Sequence, residues 1–186
     1  KEQRIEVPLS QVAPIARKAI LAIEDQRFYD HRGVDTIRIV GSAIANLREG
    51  RRAQGGSTLT QQLARQSFLT RDKTLRRKLK EVVLAAELES TYSKDEILEL
   101  YLNRIYLSAG VYGVETMSRH LFGKPAKQLT LAESALIAGL AQSPAGLSPW
   151  TNLDGAVERS HVVLSRMREQ GFITAGQEET AVHARI

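Results

Sequence analysis

The amino-acid sequence predicts an all-α fold, because apolar residues recur at helical spacing along most of its 186 residues. Four patterns of the form Ser/Thr-x-x-Glu/Gln mark the expected starts of helices, at Thr58, Ser93, Thr130 and Thr174. Only two short strand candidates are present, at 4–7 and 105–107. The chain therefore lacks the alternation of strands and helices that builds a parallel α/β sheet.

The first two predicted helices differ in their surroundings. The first carries the stripe Ile15, Ala19 and Ile23, with Pro14 in its first turn. Asp35 is placed to cap a second helix, whose apolar stripe is Ile37, Val40, Ile44 and Leu47. A basic, glycine-rich loop is expected at 50–56.

The later helices are separated by recognisable start and stop signals. Apolar stripes predict helices from about residues 59, 75, 94, 114, 131, 154 and 175. Gly123 and Gly171 are expected to end the helices that precede them. All of these elements fit one domain over residues 1–186.

Composition limits the function classes. The chain has no cysteine and no apolar run approaching the ~18 residues of a membrane-spanning helix. Its four histidines show no metal-ligand spacing. The net charge of +5 is concentrated at 65–80, where Asp72 opposes a set of basic residues: Arg65, Arg71, Lys73, Arg76, Arg77, Lys78 and Lys80. Such a patch favours a phosphorylated ligand, a polyanion or an anionic membrane surface, although a solvated helix face is an open alternative.

Two pairs of charged residues are candidates for chemistry. Glu24 and Asp25 lie at the end of the first helix, where the helix dipole disfavours acids, and a broken local rule indicates function. The alternative is a solvent-exposed helix end. Arg77 and Glu81 are four residues apart, so a plain intrahelical ion pair is the alternative for them.

The segment 56–62 places many hydrogen-bonding groups at a helix N-terminus, which favours an anion or a sugar hydroxyl. Simple capping accounts for Thr58 and Gln61 but not for Gln62. Two glutamates thus bracket cations and hydroxyls: acids supply proton transfer, and cations hold an anionic leaving group. The combination predicts group transfer onto a sugar from a phosphorylated donor.

Five motifs in order make the chain resemble the peptidoglycan glycosyltransferase domain of class A penicillin-binding proteins and their monofunctional relatives. They are EDQRFYDHRG at 24–33, GGSTLTQQ at 55–62, RKLKE at 77–81, KDEILELYLN at 94–103 and RSHVVL at 159–164. Two positions depart from the family pattern. Arg65 stands where a lysine is usual, and Ser160 replaces the second arginine of the fifth motif, which we interpret as scaffold.

The resemblance implies a lysozyme-like large lobe with a small membrane-facing lobe, placed at about 35–70. It also implies polymerisation of lipid II into glycan strands, with inversion at the anomeric carbon and release of undecaprenyl pyrophosphate. The growing strand would be the donor. The reaction would take place on the outer face of the bacterial cytoplasmic membrane. The family's transmembrane helix and transpeptidase domain are not expected within this chain, which would be an isolated domain.

The resemblance also assigns roles to residues. Glu24 would remove the proton from the acceptor 4-hydroxyl, and four cations would hold the pyrophosphate: Arg65, Lys73, Arg77 and Lys78. Three roles are open for Glu81: assisting the leaving group, binding a divalent ion (Mg or Mn), or orienting the cations. The other expected substrate-binding residues are Asp25, Phe28, His31, Ser57, Thr58 and Gln62. No cofactor is required by the sequence.

Expected partners are lipid II, the growing strand, an anionic membrane surface and phosphoglycolipid inhibitors of the moenomycin type. Two rival classes remain for comparison. A glycoside hydrolase would use two carboxylates but needs no pyrophosphate-binding cations. A nucleic-acid binder should interleave aromatic residues with its cations. Only Phe68 falls within 65–80, so no nucleic acid is expected.

Overall fold

The computed structural model describes residues 3–36, 56–68 and 74–186. The predicted helix with Ile37, Val40, Ile44 and Leu47 lies outside the described residues, as does most of the predicted loop at 50–56. Two residues of the basic patch at 65–80, Arg71 and the predicted site residue Lys73, also lie outside the described residues.

The described residues form eight α-helices, which confirms the all-α prediction. They are α1 (Pro14–Glu24), α2 (Leu59–Phe68), α3 (Leu75–Thr91), α4 (Lys94–Arg104), α5 (Val114–Phe122), α6 (Leu131–Leu140), α7 (Leu153–Glu169) and α8 (Ala175–Val182). Short 3₁₀ turns occur at Leu9–Gln11 and Ala126–Gln128. Within the described part of the chain, none of the helices has the length and apolar character needed to cross a bilayer.

The predicted capping boxes form at the helix starts. At α2, the Thr58 hydroxyl accepts from Gln61 N and the Gln61 side chain accepts from Thr58 N, both at 3.2 Å. The same reciprocal pairs open α6 and α8, and Ser93 and Glu96 exchange them at α4. Each box satisfies two backbone N–H groups that a helix start leaves without an intrahelical acceptor.

The strand predictions were partly wrong. The first strand, β1 (Gln3–Arg4), ends well before residue 7, and a strand that was not predicted, β3 (Val111–Tyr112), lies between β1 and β2 (Tyr106–Ser108). β3 pairs in parallel with β1 and antiparallel with β2.

Side chains replace strand pairing after β1. Ile5 N donates to Thr116 Oγ1 at 2.8 Å, and Leu9 N donates to Glu99 Oε2 at 2.7 Å. Between them, the Asn103 amide both accepts from Val7 N and donates to Val7 O. The backbone is therefore extended and satisfied, but it is not paired with a neighbouring strand.

The chain divides into two compact units: the first comprises Lys1–Gln26 and Glu99–Ile186, and the second comprises Arg27–Leu98. In the first unit, α6 packs against α1 and α7. Eight of the ten α6 residues are buried, so α6 is its central helix. Other fully buried side chains around it include Ile20, Leu107, Met117, Val163, Leu164 and Met167.

The core of the second unit forms where α2 packs against α3. Leu59, Leu63 and Ala64 of α2 are buried with Ala85 of α3, and Phe28 is 0% exposed. The predicted small lobe at 35–70 overlaps this unit, but 37–55 and 69–70 lie outside the described residues. Its boundaries therefore stay a prediction.

Two glycines with positive φ provide a matched test of the fold. Gly113 (φ 84°, ψ 150°) precedes α5, and a Cβ there would lie 2.7 Å from the Asn103 carbonyl oxygen. Gly123 (φ 65°, ψ 16°) follows α5 and has open space around it. We expect Gly123→Ala to destabilise the fold by about 1 kcal/mol, and Gly113→Ala by about 3 kcal/mol or more. Chemical unfolding curves measure both, and equal losses would contradict the role of the close backbone approach.

Candidate active site

Glu24 is the last residue of α1, and the helix end around it is held by defined contacts. Asp25 N donates to Leu21 O at 2.9 Å, which closes the last turn. Gln170, from the end of α7, donates from Nε2 to Ala22 O at 2.9 Å. Asp25 is buried, whereas Glu24 is partly exposed. The structure thus fixes the backbone at the helix end and leaves the Glu24 side chain accessible.

Arg159 of α7 is an electrostatic neighbour of Glu24. Burial of the guanidinium lowers the pKa of Arg159, the Glu24 carboxylate opposes this effect, and Arg166 adds to it. Gly139 of α6 makes room for the Arg159 stem, since a Cβ at Gly139 would lie 3.1 Å from Arg159 Cγ. Arg159 belongs to the fifth motif, which was interpreted from the sequence as scaffold, so Arg159 was not among the predicted site residues. Its arginine at a motif position was the signal that could have found it.

In the second unit, the first and second motifs are joined by a buried hydrogen bond. The Thr58 hydroxyl donates to Gly33 O at 2.6 Å while it accepts from Gln61 N. Gly33 has φ 82°, and a Cβ there would lie 3.2 Å from the backbone of Ala85. Thr58 and Gly33 therefore have packing roles, and direct contact of Thr58 with substrate stays a prediction.

Glu81 is the centre of a group that we call the Glu81 cluster: Glu81, Arg77, Lys78 and Ser57. Arg77 Nε lies 3.2 Å from Glu81 Oε1, and Lys78 Nζ lies 2.9 Å from Glu81 Oε2. Lys78 Nζ also donates to Ser57 Oγ at 2.7 Å. The carboxylate is buried (1% exposed side chain), whereas Lys78 is 43% exposed. The buried acid thus holds a cation whose charge faces solvent.

Lys78 is well suited to bind an anion. An ammonium has three N–H donors, and the described contacts use two of them, to Ser57 and Glu81. Among the described residues, the third donor is left for a ligand. Both oxygens of Glu81 contact cations, and no group of three His, Cys, Asp or Glu residues with metal-binding geometry occurs in the described ranges. A divalent ion at Glu81 remains a prediction.

The remaining predicted site residues lie in different surroundings. Phe28 is fully buried, and the His31 ring lies edge-on to it with 6.3 Å between centroids. Gln62 and Arg65 lie on α2 and are partly exposed. The fully buried Phe28 packs within the protein, and its contact with substrate stays a prediction.

The protein is mostly helical and carries two groups of candidate residues. The first unit has the accessible carboxylate of Glu24 at a helix end, and the second unit has the Glu81 cluster, in which a buried carboxylate holds cations beside a hydroxyl. A family model described as Transglycosylase matches residues 1–168. The chain therefore belongs to the Transglycosylase family, and the resemblance seen in the sequence is confirmed.

Individual relatives agree with this assignment. The chain is 46% identical over 182 residues to penicillin-binding protein 1A of Aquifex aeolicus and 50% identical over 177 residues to that of Escherichia coli. The two matches include 98% and 95% of this chain, but only 25% and 21% of the length of the relatives. The crystal structure of penicillin-binding protein 1A from Haemophilus influenzae is similar to this chain, with a TM-score of 0.58 and 25% identity. The match covers 100% of this chain and 18% of the Haemophilus influenzae chain. This likeness supports the predicted fold class.

The burial of Glu81 leads to a stability prediction. Removing one partner from a buried carboxylate leaves its charge poorly compensated, which destabilises proteins by about 3–5 kcal/mol where the pair is fully buried. Arg77→Met should approach this loss, tempered by the remaining contact with Lys78. The exposed neighbour Arg76 provides the control, and Arg76→Met should change the free energy of unfolding by less than about 0.5 kcal/mol. Equal effects in urea unfolding would show that Arg77 does not compensate Glu81.

Proposed function

We propose that this chain is a peptidoglycan glycosyltransferase that polymerises lipid II into glycan strands for bacterial cell-wall synthesis. Membership of the Transglycosylase family supports the reaction class. The Glu81 cluster carries the finer proposal, because a solvent-facing ammonium fixed by a hydroxyl and a buried acid suits a phosphate-containing leaving group. The reaction proceeds with inversion and releases undecaprenyl pyrophosphate.

Glu24 is the general base of the proposed reaction. Its carboxylate removes the proton from the acceptor 4-hydroxyl as that oxygen attacks the anomeric carbon of the donor. The bond from the anomeric carbon to the pyrophosphate oxygen breaks, and the leaving group keeps the electron pair. Arg159 supports this role, since its positive charge offsets the unfavourable position of a carboxylate at the C-terminal end of α1.

The cations bind the departing pyrophosphate. Negative charge builds on it as the bond breaks, so fixed positive charge stabilises the transition state more than the ground state. Lys78 and Arg77 do this from the Glu81 cluster, with Arg65 of α2 and Lys73 as further contributors. For Glu81, the contacts favour the orienting role among the three open ones, because each oxygen contacts a different cation. Ser57 and Gln62 hold the donor sugar and phosphate.

The same proposal sets the location and partners. The enzyme acts on the outer face of the cytoplasmic membrane, where a polyprenyl-linked substrate is presented. The helix predicted at Ile37, Val40, Ile44 and Leu47 supplies an apolar face for an anionic membrane surface. Phosphoglycolipids of the moenomycin type bind the cations, because they present a phosphate linked to a sugar and a lipid. A hydrolase would not need the Glu81 cluster, and no nucleic acid is involved.

The base assignment predicts that Glu24→Gln abolishes polymerisation of labelled lipid II in detergent. The amide keeps the shape of the side chain but cannot accept the proton, and positioned proton transfer contributes roughly 10²–10⁴ in rate. Glu158→Gln, at an exposed glutamate of α7, serves as the control and should polymerise normally. Long glycan strands made by a folded Glu24→Gln protein would remove Glu24 from the mechanism.

The cation assignment predicts linked losses of turnover and inhibitor binding. Lys78→Ala and Arg65→Ala should each lower kcat/KM and the affinity for a labelled moenomycin-type phosphoglycolipid by roughly tenfold or more, the value of a charge-assisted hydrogen bond. Arg65→Lys should be mild, because it keeps the charge. Glu81→Gln should reduce turnover more than inhibitor binding.

The control for the cations is Lys80→Ala, which removes an exposed lysine of the same helix. It should change neither turnover nor inhibitor affinity by more than about twofold. If Lys78→Ala and Arg65→Ala behave like Lys80→Ala, the basic patch is only a solvated helix face and the pyrophosphate is bound elsewhere.

A further inference from the structure

Lys94 occupies an unfavourable position that its contacts explain. It is the first residue of α4, where the helix dipole disfavours a cation. Its Nζ lies 2.8 Å from Glu89 Oε1 and 4.5 Å from the centroid of the Phe28 ring. An ion pair and a cation–π contact thus outweigh the dipole.

Glu89 connects Lys94 to another helix. Its side chain is 7% exposed, and the Oε1 atom that faces Lys94 also accepts a hydrogen bond from Thr60 Oγ1 at 2.6 Å. Thr60 is 0% exposed and lies in the first turn of α2. We call Lys94, Glu89 and Thr60 the Lys94 bridge. Within the second unit, it joins the start of α4, the end of α3 and the start of α2, and Lys94 adds the segment that carries Phe28.

Among the contacts of the described residues, the Lys94 bridge gives α3 and the start of α2 a further polar link. Another is the hydrogen bond from Lys78 of α3 to Ser57, just before α2. Glu89 follows Lys78 by eleven residues on α3, which is roughly 16 Å along a helix at 1.5 Å per residue. Because the two links start so far apart on α3 and both reach residues at the start of α2, they hold the start of α2 from two sides.

We propose that Lys94 and Glu89 are positioning residues of the glycosyltransferase, which act by holding Ser57 against Lys78 in the Glu81 cluster. The inference rests on the proposed function for its substrate and goes beyond it in assigning a role to the fourth motif. Without Lys94, the nearly buried Glu89 charge loses its cation, and buried charges that lose a partner force their surroundings to rearrange. The helix start that carries Ser57 is the element that Glu89 contacts through Thr60.

The test compares Lys94→Met with a matched control in the first unit. Lys124 also has its Nζ 2.8 Å from a glutamate oxygen, that of Glu133, and its side-chain exposure of 27% is close to the 20% of Lys94. At 25 °C, with folding checked by circular dichroism, Lys94→Met should lower kcat/KM for lipid II about tenfold and weaken a labelled moenomycin-type probe in parallel. Lys124→Met should leave both unchanged, and Lys94→Arg should recover most of the loss.

A double-mutant cycle distinguishes positioning from a merely structural role. If the bridge acts through Lys78, Lys94→Met should cost less than threefold further once Lys78→Ala is present. Multiplying losses would overturn the proposal, as would a folded Lys94→Met protein with wild-type kcat/KM and probe affinity. Should Lys94→Met fail to fold, Thr60→Val removes the link to α2 while it keeps the Lys94–Glu89 pair, and the same cycle applies.

Failure of the proposed function gives a different result. In that case the wild-type chain does not polymerise lipid II, or Lys78→Ala is fully active. The probe-affinity arm of the cycle still decides whether the Lys94 bridge positions the Glu81 cluster, because it does not depend on turnover.

Discussion

The buried carboxylate of Glu81 is the constraint on which the arrangement of the second unit depends. A carboxylate removed from water is costly unless cations and hydrogen bonds compensate it. Arg77 and Lys78, respectively four and three residues earlier on α3, are placed by the helix to do so. Because Lys78 is thereby held in one orientation and also donates to Ser57, the need to compensate one buried charge creates an ordered cation at the surface.

Adjacent residues at the start of α2 supply hydrogen bonds to the fold and to the Glu81 cluster. Thr58 caps α2 and holds Gly33 in place, so its hydroxyl joins two motifs before any substrate is considered. Ser57, one residue earlier, turns its hydroxyl to Lys78. Adjacent positions thus divide the work, with one side chain fixing the backbone and the next meeting the cation. The cap at Thr58 therefore also orders the neighbouring Ser57, whose hydroxyl accepts a hydrogen bond from Lys78.

Sequence patterns predicted the features that depend on nearby residues. Capping boxes and the Gly123 stop of α5 act over three or four positions and are found in the structure, as is the Arg77–Glu81 ion pair that the spacing offered as an alternative. The features that were missed depend on residues far apart in the sequence. β3 is only two residues long and pairs with β1 at the start of the chain. The influence of Glu24 on Arg159 spans most of the chain. Such pairings arise from tertiary packing, which has no local signal.

The two lysine–glutamate pairs at 2.8 Å show why contact length alone does not reveal a role. Burial raises the pKa of Glu133, but hydrogen bonds from Lys124 and Thr130 outweigh it, so the pKa is lowered overall. Because the pKa of Glu133 is lowered in the folded state, its ionisation stabilises the fold at pH values above the ordinary pKa of a glutamate. This contribution is lost as the pH falls through the lowered pKa. Thr130 caps the helix that carries Glu133, and Lys124 lies in the segment just before that helix, so this pair joins parts of the chain that are close in sequence.

Glu89 differs from Glu133 in what shares its carboxylate. Its second partner, Thr60, lies 29 residues away on another helix, and its cation also lies over the ring of Phe28. A change at Glu89 therefore reaches α2 and the first motif, whereas a change at Glu133 reaches its own cap and the neighbouring segment that carries Lys124. Two ion pairs of equal length thus differ in how far apart in the sequence the segments lie that they join, and residues that share contacts are those whose losses do not add.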